Sequence, residues 1–127
     1  MAKFLTELVA KKIDRKFWEL TAPLVYDSDL LGLTMTIDTG FKTDFASIPR
    51  APLAYWLVGG MAEASATVHD KLYQIQTCTR KEADDVMLEA MKAEGIERWR
   101  RNLIYAGVRA GGWYTWWKYA RRLKKRK

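Results

Sequence analysis

The chain has 127 residues, enough for one domain and too few for two with separate cores. Hydrophobic residues make up 49% and charged residues 29%, the balance of an ordinary globular protein, and a single cysteine, Cys78, excludes a disulfide framework or a Cys-based zinc ribbon. Charge is divided: residues 1–97 sum to −4 (11 basic minus 15 acidic) and residues 98–127 to +11, which gives the net +7.

The longest weakly polar run, residues 51–62, is shorter than a membrane span, and the N-terminus has no signal-peptide h-region. The composition therefore predicts a soluble, cytoplasmic domain made in a reducing compartment. The basic C-terminal third predicts contact with something anionic, such as lipid headgroups, nucleic acid or an acidic protein surface. The plainer alternative is a solvated helix face that ends in a frayed basic tail over residues 121–127.

Short apolar runs in the first half, residues 16–20 and 23–26, are broken by turn formers and predict strands. Leu33, Met35 and Ile37 alternate with Thr34, Thr36 and Asp38, the period-two pattern of a half-buried strand. Pro49 and Pro52 exclude a central strand after it, and Ser47 is placed to cap a short helix that ends at Gly59-Gly60.

Three helices are predicted in the second half. The first spans about residues 61–76, with Met61, Ala64, Val68, Leu72 and Ile75 as its apolar stripe. Thr79-Arg80-Lys81-Glu82 has capping-box form and opens a second helix, for which Gly95 fits the position just past the end. The third spans roughly residues 96–123, with Trp99, Leu103, Ala106, Ala110, Trp113, Trp117 and Ala120 as its stripe. This pattern places Trp113 and Trp117 in the core and Trp116 with the tyrosines on an outer rim. Small residues at Ala106-Gly107 and Ala110-Gly111-Gly112 would let a neighbouring helix come close. The predicted architecture is α+β: one domain over residues 1–127, a small antiparallel β-sheet followed by a three-helix half.

His69 is the only histidine, so it is the one candidate for imidazole chemistry. Small residues one and two turns back, Ala62, Ser65 and Ala66, leave space above its ring. Asp70 follows it directly, but side chains of adjacent helical residues diverge by about 100°, so the two could face one cleft without bonding each other. On the next helix Asp84 falls in the apolar strip of Met87, Leu88 and Met91, where a carboxylate needs a partner. If the two helices pack antiparallel, that partner is His69, with Asp84 fixing the tautomer and the other ring nitrogen acting as base. A structural histidine, or a histidine and two carboxylates ligating a metal, are the alternatives.

His69-Asp70-Lys71-Leu72-Tyr73, with Ala83-Asp84 on the following helix, resembles the active-site core of secreted and parvoviral phospholipases A2. That resemblance implies His69 as the general base, Asp70 as a calcium ligand, Asp84 as the carboxylate that orients the histidine, and Tyr73 as its support. A longer set of motifs is similar to a phage and prophage family catalogued as domain of unknown function 1353. Those motifs are Gly40-Phe41, Thr43-Asp44-Phe45-Ala46-Ser47-Ile48-Pro49-Arg50, His69-Asp70 with Leu72-Tyr73, Ala83-Asp84, Ala90-Met91, Ala106 with Val108-Arg109, and Gly112-Trp113. The similarity implies a phage-encoded protein at work in the host cytoplasm or built into the virion. It also brings Asp44 and Ser47 toward the His69 group, with Asp44 as a second metal ligand or a brace.

Two functions stand as expectations. One is a metal-assisted hydrolase of lipid or cell-envelope esters, with His69, Asp84 and Tyr73 catalytic and Asp70 with Asp44 holding Ca2+ or another divalent metal. The other is a tail or tail-tip component in which the same cluster is structural. In either case the basic aromatic helix would meet virion proteins or an anionic membrane, with nucleic acid the weaker expectation because no nucleic-acid-binding motif accompanies it.

Overall fold

The computed structural model describes residues 1–14, 17–43 and 62–125. The predicted short helix after Ser47 and the Asp44 site residue lie outside them. The described N-terminal half holds six short strands, β1 (Lys3–Phe4), β2 (Ala10–Lys12), β3 (Trp18–Leu20), β4 (Leu24–Ser28), β5 (Leu33–Ile37) and β6 (Lys42–Thr43). They form two three-stranded antiparallel sheets, β1-β4-β5 and β2-β3-β6, where the sequence predicted one. Strands of two or three residues carry too little period to be read from sequence, and four of the six are that short.

Within β4–β5 the pairing is Leu24 with Ile37 through Ser28 with Leu33. Side chains alternate, so Leu24, Tyr26, Ser28, Met35 and Ile37 turn inward while Leu33, at the turn end, stays exposed.

Three helices follow: α1 (Glu63–Ile75), α2 (Arg80–Ala93) and α3 (Arg98–Lys125). The fold is therefore α+β, as predicted. Thr79 caps α2 through the full capping box: its hydroxyl accepts from the Glu82 amide at 3.1 Å and its own amide donates to Glu82 Oε1 at 2.9 Å. At the other end the Gly95 amide bonds the Lys92 carbonyl at 3.0 Å and the Ile96 amide the Met91 carbonyl at 3.0 Å. This is a Schellman close, and it requires the left-handed φ of +78° that Gly95 adopts without a side-chain clash. Residues 121–125 continue α3 rather than leaving it.

Helix α2 is the centre of the domain because it is apolar on two faces. Ala83, Val86 and Ala90 pack with Leu24, Tyr26 and Ile37 of the sheet and with Val68, Leu72 and Tyr73 of α1. Met87 and Met91 pack with Ala66, Ile96, Ile104 and Val108. Its polar face is not merely solvated either. Glu89 accepts from Tyr26 Oη at 2.6 Å, Ser28 Oγ at 2.8 Å and the Leu30 amide at 2.9 Å. Tyr105 Oη donates to Asp85 at 2.6 Å. One carboxylate thus ties the β4–β5 hairpin to α2, and another ties α3 to it.

Helix α3 is turned the other way from the prediction. Ile104 and Val108 are its buried residues, Trp116 and Tyr119 pack against the core, and the predicted stripe faces outward, with Leu103 54% and Trp113 61% exposed. The helix is apolar on two opposite sides, so periodicity alone could not choose between them.

Candidate functional site

His69, Tyr73, Asp84, Arg80 and Arg109 come together between the three helices. His69 and Tyr73 are four residues apart on α1 and so share a face; their rings lie 4.1 Å apart between centroids. Asp84 reaches them from the first half of α2. Its Oδ1 lies 2.6 Å from His69 Nε2 and accepts the Tyr73 hydroxyl at 2.6 Å. Its Oδ2 accepts Arg109 Nη1, from α3, at 2.8 Å, and Arg80 Nη1 stands 3.5 Å away. Trp116 packs edge-on against Tyr73 at 5.0 Å. His69 is 1% and Asp84 0% exposed, so the imidazole is enclosed rather than open to the cleft expected above it.

These contacts fix the protonation states. Burial by itself would raise the Asp84 pKa, but the hydrogen bonds from His69, Tyr73 and Arg109 outweigh it and hold the carboxyl below its ordinary value. Burial lowers the His69 pKa, against the pull of Asp84. Burial also raises the Tyr73 pKa, reinforced by its bond to Asp84. At neutral pH the cluster is therefore a carboxylate, a neutral imidazole and a neutral phenol. An ionised Asp84 only accepts, so Nε2 carries the proton and the lone pair lies on Nδ1, a tautomer assigned from the hydrogen-bond network.

Stability should depend on pH through this cluster. The folded His69 pKa is depressed, so between that value and the ordinary one of about 6.5 the unfolded chain binds more protons than the native one. Stability from neutral His69 is full above about pH 6.5 and falls as pH drops below it, by up to about 1.4 kcal/mol per pH unit. Chemical denaturation of wild type and His69→Asn across pH 7 to 5 checks this: the wild-type midpoint should fall more steeply, and parallel curves would contradict it.

The Asp70 contact seen among the described residues lies outside this cluster. Asp70 accepts a hydrogen bond from the Thr43 hydroxyl of β6, so its carboxylate joins α1 to the second sheet. Among the described residues, two side chains bring oxygens together there, whereas calcium takes six to eight. Among the described residues no group of three or more His, Cys, Asp and Glu side chains is placed to hold a metal ion; Asp44 is outside those residues. The described residues by themselves do not complete a calcium site.

Two arginines and a glycine are not singled out as site residues by sequence reasoning. Arg80 bonds the Val108 carbonyl at 3.2 Å and the Arg109 carbonyl at 3.3 Å as well as facing Asp84. Gly112, one turn on, leaves room for this: a Cβ there would overlap the Tyr73 hydroxyl and sit 3.3 Å from Arg80 Nη1. The signal available is the motif Val108-Arg109 with Gly112-Trp113, whose arginine and glycine interrupt the apolar run from Leu103 to Tyr114.

The molecule is thus a small α+β domain whose three helices converge on a buried carboxylate that is shared by a histidine, a tyrosine and two arginines. The chain belongs to the family described as Protein of unknown function (DUF1353), whose model matches residues 18–108, more than two thirds of its length. No curated protein and no solved structure matches it.

Proposed function

We propose that the protein is a phage-encoded hydrolase in which His69 acts as general base on an ester of lipid or cell-envelope material. The observation that carries this reading is the 2.6 Å contact of Asp84 Oδ1 with His69 Nε2, shared with the Tyr73 hydroxyl. It makes Nδ1 the nitrogen through which protons would move. In that role Nδ1 takes a proton from a water whose oxygen adds to the ester carbonyl. The imidazolium then returns the proton to the departing alkoxide. Asp84 holds the ring and stabilises its charged form. Arg109 and Arg80 keep Asp84 ionised, which favours the required tautomer. The local resemblance to the phospholipase A2 helix supports the same assignment of roles, and its extension is a divalent cation held by Asp70 with Asp44.

A second reading has its own observation, the near-complete burial of His69 and Asp84. In it the cluster locks three helices together in a virion tail component. An ester-hydrolysis screen with nitrophenyl esters and phosphatidylglycerol, run beside thermal unfolding with and without calcium, separates the two. The enzyme reading expects wild-type turnover that falls by at least about a thousandfold in His69→Asn and by about 10²–10⁴-fold in Asp84→Asn, per folded molecule. It also expects Asp70→Asn to weaken any calcium-induced rise in melting temperature. Absence of wild-type turnover on every ester overturns it.

A further inference from the structure

The outer face of α3 has no partner among the described residues of the domain. Trp99, Leu103, Trp113, Tyr114 and Trp117 stand exposed along it, at spacings of four, ten, one and three residues that keep them on one stripe about 27 Å long. Ala106 and Ala110 continue the stripe between them and are exposed as well. The opposite face of the helix is already used by the core. An apolar face of this extent marks a contact surface, and its chemistry decides which one.

Residues 98–127 carry eleven Lys and Arg and no Asp or Glu. Two such helices brought together would set like charge against like, so a second copy of this chain is disfavoured. Three of the four rings also carry a cation over one face: Arg100 lies 5.1 Å over Trp99, Arg121 4.9 Å over Trp117 and Lys118 5.6 Å over Tyr114. Nucleic-acid bases stack on open ring faces, and on three of these rings one face is taken by the chain's own cation. A covered ring offers instead an apolar indole with a cation fixed beside it. That pair suits the boundary between acyl chains and phosphate headgroups, where one end of the contact is apolar and the other anionic.

We propose that the outer face of α3 lies in the plane of an anionic phospholipid surface, with the aromatic stripe at the acyl boundary and the flanking Lys and Arg on lipid phosphates. No described helix is long and apolar enough to cross a membrane, so the contact is made along the helix rather than through the bilayer. The proposal does not depend on hydrolysis at His69.

The test uses the full chain with vesicles of phosphatidylcholine, and of equal parts phosphatidylcholine and phosphatidylglycerol, read by co-sedimentation and tryptophan emission. The expected result is binding to the anionic vesicles with a blue shift, and binding at least about tenfold weaker to the neutral ones. A Trp113→Ser, Trp117→Ser double variant should lose at least a further tenfold or so. Its melting temperature should stay near wild type, because both side chains are exposed. Any of three results would overturn the proposal: anionic vesicles bound no better than neutral ones; equal binding by wild type and variant, which would leave charge alone; or a wild-type dimer in light scattering that the variant loses. A Leu103→Ser variant serves the same comparison if the double variant folds poorly.

Discussion

Asp84→Ala is expected to lower the free energy of unfolding by about 3–5 kcal/mol, the range for breaking a buried ion pair from one side. The carboxylate is fully buried and takes His69, Tyr73 and Arg109 on its two oxygens, with Arg80 close by. Removing it strands two buried donors and leaves two guanidinium groups facing each other without the anion between them. Against a total of about 5–15 kcal/mol the variant should be close to unfolding at 37 °C. Asp84→Asn should lose less, since an amide oxygen still accepts one of the donors. Urea unfolding followed by circular dichroism checks both, and a loss under about 1 kcal/mol for the alanine variant would mean that the cluster is not a keystone.

Gly112→Ala is expected to be destabilising by about 2–3 kcal/mol, although alanine is normally the better helix residue by about 1 kcal/mol. The added methyl meets the Tyr73 hydroxyl, and behind it Arg80. The phenol is rigid, buried and committed to Asp84, so it cannot swing aside without giving up that bond. A double-mutant cycle isolates the clash. Tyr73→Phe removes the atom that the methyl strikes, so Gly112→Ala should be markedly milder in the Tyr73→Phe background than in wild type. Additive effects would place the damage elsewhere on α3.

How much of this is legible in the sequence depends on whether the deciding contact is local. The capping box at Thr79 and the Gly95 close sit within four residues of the helix ends that they define, and both are readable. Asp84 is readable because a carboxylate in an apolar strip demands a partner, and His69 is the one imidazole available to it. Glu89 is not: helical spacing puts it with Asp85 and Lys92 on an apparent solvent face, while its partners Tyr26 and Ser28 are 63 and 61 positions away. The facing of α3 fails for a different reason. Trp99, Leu103, Trp113 and Trp117 make as good a stripe as Ile104, Val108, Trp116 and Tyr119, and only the positions of α1 and α2 separate them.

The span of the Glu89 bridge also constrains the order in which the chain can assemble. The β4–β5 hairpin closes over a four-residue turn and the α1–α2 pair over a short one, so both are quick, local events. Joining them requires closing a loop of some sixty residues, through Glu89 and the apolar contacts beside it, and the Arg109–Asp84 contact requires a further 25. During synthesis the hairpin would emerge first and wait with Tyr26 unbonded until residue 89 arrives, and Asp84 would wait in turn for α3. The slow step in refolding should therefore be the docking of preformed halves, sensitive to Glu89→Gln in its folding rate and much less so to substitutions within either half's own turn.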